Sequence, residues 1–201
     1  MSTARLEAFS DGVIAVAITL LVLDLMIPSP GSRPYHPLAY HLAHNWPDYA
    51  AYVVSFVTIG IIWINHHAAI SRLARADHAI LLVNLLLLMS IGVLPFATSL
   101  MARYLTRPEG EHLAAGIYAG AFLVMASIFS VLNWLILARR PHLMAEQWLP
   151  ERRALILRRN VVGSVPYVVA VALAPVSAYA CLAICGAVAA FYAMPRTIQD
   201  Q

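Results

Sequence analysis

Residues 49–71, 79–102 and 113–138 contain no charged side chain. A helix needs roughly 20 apolar residues to cross the ~30 Å hydrocarbon core of a bilayer, and each of these runs is longer than that. Three such runs in a chain of 201 residues leave little sequence for anything except a membrane bundle. A fourth uncharged run, 160–195, would extend about 54 Å as one helix, too far for a single crossing. Pro175 near its middle predicts a tight hairpin of two shorter helices, 157–174 and 176–194, with Pro166 kinking the first of them or marking its first turns. A first segment at 6–27 brings the expected count to six. The sequence therefore predicts an all-α integral membrane protein with helices near 6–27, 49–71, 79–102, 113–138, 157–174 and 176–194, in one domain over 1–201. Composition agrees: 61% of residues are hydrophobic and 11% charged, where soluble domains carry about 25% charged residues.

Arginine placement predicts the orientation. Every basic residue is Arg, and with six crossings ten of them fall on one side: Arg5, Arg72, Arg75, Arg139, Arg140, Arg152, Arg153, Arg158, Arg159 and Arg196. The opposite side holds three, Arg33, Arg103 and Arg107. The excess of positive charge marks the cytoplasmic face, which puts both termini there. The net charge of +3 is thus a topology signal and gives no reason to expect nucleic-acid binding. The paired arginines 139/140, 152/153 and 158/159 are suited to anionic lipid headgroups.

The first segment is unusual for a membrane helix. Arg5, Glu7 and Asp11 crowd its start, Asp24 stands near its end, and only 12–23 are uncharged between them. Twelve helical residues cover about 18 Å, so the two aspartates lie near or inside the membrane boundary. Carboxylates there are unfavourable by several kcal/mol unless they face protein, water or a cation. A signal peptide would want a basic start, which Glu7 and Asp11 contradict, so the helix is read as retained. Val16, Leu20, Leu23 and Ile27 recur at i, i+4, i+7 and i+11 on one face, joined at the outer end by Asp24, with Thr19 at the edge one turn above Val16. Such a face can be a lipid- or protein-facing stripe. Arranged around a symmetry axis, it would make an acidic outer ring, hydrophobic constrictions and a hydroxyl layer, a pore that attracts cations and gates by wetting.

A second polar group gathers near the cytoplasmic end. Trp63, Asn65, His66 and His67 close the second helix and Asn84 opens the third. With Arg5, Ser10 and Asp11 they are expected to form one cluster centred on an Arg–Asp pair, a network that holds helices together more than it catalyses. Adjacent histidines project about 100° apart and do not chelate one metal. His36, His41 and His44 in the Pro- and His-rich loop at 28–47 are read as solvated. Gly116 and Gly120 form a GxxxG that permits close helix contact, within or between subunits. Cys181 and Cys185, four apart in an apolar segment, are read as small packing residues. No TVGYG-like filter, phosphate loop, HExxH or GxSxG is present. No enzyme, no metal and no cofactor is expected.

Arg5-Leu6-Glu7-Ala8-Phe9-Ser10-Asp11 matches the RxxxFSD signature of the endosomal and lysosomal potassium channel family, the transmembrane protein 175 family, and 12–23 resembles that family's first helix. A single six-helix unit is similar to the family's prokaryotic form. The resemblance implies a homotetramer in a prokaryotic plasma membrane, conducting monovalent cations with potassium preferred. The pore would be lined by the first helix of each subunit, without a re-entrant filter loop. It implies further that Val16 is the narrowest constriction, with Leu20 and Leu23 above it, that Thr19 is the layer associated with potassium preference, and that Arg5, Phe9, Ser10 and Asp11 anchor the pore helix through the second and third helices. Val16 replaces the commoner Ile or Leu, which implies a wider and less selective ring. Six helices of this length are too few to enclose an ion path without breaking their own packing, so a pore on the first helix requires oligomerisation. The alternative is a proton-coupled carrier using Asp11, His66 and His67 as a relay; the absence of paired broken helices weighs against it.

Overall fold

The computed structural model describes residues 3–25 and 37–194, and among these every regular element is helical. In chain order they are α1 (Thr3–Leu20, continued by a 3-10 turn at Leu21–Asp24), α2 (Leu38–His44), α3 (Trp46–Ile70), α4 (His78–Tyr104), α5 (Glu111–Trp134, continued by a π turn at Leu135–Arg139), α6 (Pro150–Leu173) and α7 (Ala178–Ala193). Five of them, α1, α3, α4, α5 and α6, are long and apolar enough to cross a membrane. The sixth apolar helix, α7, has 16 residues, about 24 Å.

Several boundaries differ from the expectation. The fifth predicted helix begins at Pro150 instead of 157, so Arg152 and Arg153 ride on α6 together with Arg158 and Arg159 and not in a loop. Pro150 occupies the first turn, where its missing N–H is no loss, and Glu151 complements the positive end of the helix. The helix runs on through Pro166. The hairpin at Pro175 is present: Ser177 N–H bonds the Leu173 carbonyl at 3.0 Å, and the Ser177 hydroxyl accepts from Ala180 N–H at 3.2 Å to cap α7. The stretch predicted as a loop before α3 holds the short helix α2. His41 and His44 lie on it, while Ile27, Arg33 and His36 fall outside the described residues, as do Arg196 and the Asp24 side chain.

The core forms around α4 and α5. α5 packs on α4, α6 and α7, and α1 packs on α3 and α4. Tyr118 and Phe122 on α5 are fully buried, with ring centres 4.7 Å apart edge to face, and the ring of Tyr167 on α6 lies 5.7 Å from Phe122, tilted by 34°. Gly116 of the GxxxG faces Ala174 within the same chain: a Cβ there would lie 3.9 Å from the alanine methyl. Cys181 and Cys185 are free and buried, and the Cys181 thiol donates to the Ala115 carbonyl at 3.4 Å.

A hydroxyl chain crosses this core. The Thr98 hydroxyl donates to the Leu94 carbonyl at 2.8 Å, which uses its one proton. Ser55 must then donate to Thr98 at 2.7 Å and accept from Tyr118 at 3.0 Å. The relay ties α5 to α3 and α3 to α4. At one end of the bundle the loops after α3 and after α5 pair through two backbone bonds, Ala74 N–H to Leu143 O and Ala145 N–H to Arg72 O. Asp77 caps α4 by accepting from Ile80 N–H at 3.0 Å, and its other oxygen holds Arg140 Nε at 3.0 Å.

Candidate functional site on the first helix

Leu6, Ser10, Ile14, Ala17 and Leu21 recur at helical spacing and form the buried face of α1. The opposite face is uncovered. Val16 is 57% exposed, Leu20 43% and Leu23 75%, and Phe9 at the start of the same face is 53% exposed. Thr19 is exposed beside them; its hydroxyl donates to the Val16 carbonyl at 2.8 Å, which leaves its oxygen free to accept. Gly12 on α1 and Gly92 on α4 line a shallow apolar groove with Phe9, Val13, Val16 and Leu20.

The acids at the start of α1 are held by α3. The Trp63 indole N–H donates to Asp11 Oδ1 at 2.8 Å, and His67 Nδ1 lies 2.6 Å from Glu7 Oε1. Glu7 and Asp11 are one turn apart on α1, and His67 and Trp63 are one turn apart in the reverse direction on α3, so the two antiparallel helices meet through matched pairs. Beside them runs a buried chain. His66 Nε2 is 2.7 Å from Asn84 Oδ1, Asn84 Nδ2 donates to Ser10 Oγ at 3.0 Å, and Ser10 donates to the Leu6 carbonyl at 2.9 Å. With Asn84 Oδ1 as acceptor, His66 carries a proton on Nε2, and its Nδ1 is buried without a partner among the described residues.

Two expectations are corrected here. Arg5 does not pair with Asp11: it is exposed and makes no ion pair among the described residues. Six positions on a helix leave side chains about 120° apart, so Asp11 finds its donor on the neighbouring helix instead. Asn65 does not join the cluster. It bonds the Ile61 carbonyl of its own helix at 2.8 Å and faces a cavity on the far side of α3. Sequence reasoning missed Glu7 as a partner of His67. Glu7, Asp11 and His67 offer three ligand atoms within 4.8 Å of one another, and the His67–Glu7 contact and the Trp63 indole N–H each already engage one carboxylate oxygen.

The family described as endosomal/lysosomal potassium channel TMEM175 matches residues 5–95. A potassium channel of Streptomyces collinus is 43% identical over 194 residues, covering 94% of this chain and 91% of the relative. The chain belongs to the TMEM175 family. Within that family, the crystal structure of a lysosomal potassium-selective channel homologue from Chamaesiphon minutus superposes with a TM-score of 0.85 at 37% identity, covering 98% of both chains. The human endosomal/lysosomal proton channel TMEM175 is 34% identical over 140 residues, covering 67% of this chain and 28% of the human protein. The chain is thus a multi-pass membrane protein of an ion-channel family.

Proposed function

We propose that this protein is a passive, potassium-preferring cation channel, a homotetramer whose pore is lined by α1 of each subunit. The observation that carries the reading is the uncovered α1 face, where Val16, Leu20 and Leu23 stand exposed on a helix whose other side is tightly packed. In a tetramer these residues face the axis as hydrophobic rings, Val16 the narrowest. An ion passing them sheds part of its water, so the rings limit conductance and gate it. Thr19 presents hydroxyl oxygens between the rings, and Asp24 raises the cation concentration at the outer mouth. Ser10 and Asp11 fix the helix to α3 and α4 through Asn84, His66 and Trp63, with His67 acting through Glu7. Arg5 and Phe9, both exposed in the protomer, act between subunits.

The same reading places six crossings in a prokaryotic plasma membrane with both termini cytoplasmic, α7 completing the count, and lipid headgroups against the arginine-rich end. Potassium is the permeant ion and no cofactor is involved. The carrier reading is weaker: Asp11, His66 and His67 each hold a different partner instead of one another, and the relatives are named as channels.

Cysteine at position 16 tests the pore face. The native thiols are buried, so background labelling is low. Val16→Cys is expected to form inter-subunit disulfides on oxidation and to lose current to a water-soluble thiol reagent. A channel that conducts normally, never cross-links and ignores the reagent would remove α1 from the pore.

A further inference from the structure

On the far side of α3 from the α1 face, a cavity of about 190 Å³ opens between α3, α5, α6 and α7. Its walls are divided in character. Toward the arginine-rich end it is lined by Arg72, Arg159, Asn160 and Asn65; deeper in the bundle by Met125, Phe129 and Val188. Gly163 shapes one wall, because a Cβ there would meet the Tyr192 hydroxyl at 2.6 Å.

No carboxylate lines the polar end among the described residues. Neither Arg72 nor Arg159 has a carboxylate partner among the described residues. Arg72 and Arg152 instead share the ring of Trp148, at 4.9 and 4.3 Å from its centre, which stacks two like charges on one indole. Burial, and then the charge of Arg152, push the Arg72 guanidinium below its ordinary value. The Asn160 amide nitrogen is buried and donates to nothing among the described residues. Two guanidinium groups and an unused amide donor around a small space, with an apolar floor, match an oxyanion attached to an apolar body.

We propose that this cavity binds the phosphate ester of an anionic phospholipid, Arg72 and Arg159 taking the charge and Asn160 donating to a phosphate oxygen. The volume suits a phosphate with its glycerol, with the acyl chains leaving between the helices. The site rests on the chain spanning a bilayer and is independent of which residues line the pore.

Native mass spectrometry of the full-length protein in detergent tests it, with phosphatidylglycerol, phosphatidylcholine and soluble glycerol 3-phosphate as probes. Phosphatidylglycerol is expected to bind and phosphatidylcholine to be retained far less. Losing two charge-assisted contacts in Arg72→Gln/Arg159→Gln should weaken phosphatidylglycerol binding by about tenfold or more. The control Arg75→Gln removes charge from the same end outside the cavity and should leave binding within about twofold, since diffuse electrostatics contribute little at one site. Asn160→Asp, nearly isosteric, adds a repelling charge and should also abolish binding, which covers the case where the double variant fails to fold. Failure of glycerol 3-phosphate to compete assigns the site to lipid; competition at equal concentration would overturn the lipid assignment in favour of a soluble phosphate. Equal loss in the Arg75→Gln control, or no loss in either cavity variant, would overturn the site itself.

Discussion

Asp11 on α1 and Trp63 on α3 meet through a 2.8 Å bond from the indole N–H to the carboxylate. This contact explains how an acid is tolerated at the start of a membrane helix: its charge is met by a neutral donor on the neighbouring helix, not by the arginine six residues before it. Trp63→Phe keeps the ring and removes the donor. A hydrogen bond to a charged group is worth about 1.5–3 kcal/mol, so the variant should unfold at clearly lower temperature in detergent. Arg5→Ala should leave protomer stability unchanged and reduce tetramer yield. Equal thermal losses from both variants would contradict the assignment of Asp11 to Trp63.

Val16 controls conduction in this account. Val16→Asn replaces a hydrophobic ring with one that holds water, which lowers the dehydration barrier. Single-channel recording should show higher open conductance and a smaller preference for potassium over sodium. Unchanged currents would count against Val16 as the constriction.

The buried relay from Tyr118 through Ser55 to Thr98 predicts an asymmetry. Tyr118→Phe removes an end donor together with its hydrogen bond, a loss of about 1 kcal/mol. Ser55→Ala removes the middle member, leaving Tyr118 without an acceptor and Thr98 short of a donor, and should lose about 2–3 kcal/mol. Denaturant unfolding in mixed micelles measures both; an equal or reversed order would contradict the direction of the chain.

Asp77 both caps α4 and pairs with Arg140, and two substitutions separate these roles. Asn is an equally good cap, and an exposed ion pair is worth about 0–1 kcal/mol, so Asp77→Asn should be nearly neutral. Asp77→Ala loses the cap as well and should be destabilised by about 1 kcal/mol more. Equal effects would mean that the Arg140 pair carries the stabilisation.

The long uncharged runs made α3, α4 and α5 legible, because nothing else can be done with 20 apolar residues in a row. That Val16, Leu20 and Leu23 share one face of α1 was legible from their spacing; that the face is uncovered was not, because spacing alone fits a packed stripe equally well. The start of α6 was hidden, because Arg152 and Arg153 read as a loop when charge is taken to end a membrane helix; Pro150 and Glu151 were the signal for its true beginning. Asn65 was misplaced because it neighbours His66 in sequence, yet one helical step turned it about 100° to another face. The link between Ser55, Thr98 and Tyr118 spans separations of 43 and 63 residues, and no local pattern marks three hydroxyls that only the packing of three helices brings together.

The most direct test of the central claim is the reversal potential of the purified protein in planar bilayers, with potassium on one side and sodium on the other. The account predicts a steady current linear in driving force and reversing toward the potassium potential. Saturable, pH-dependent flux that collapses when His66 or His67 is replaced, with no potassium-selective current, would contradict it.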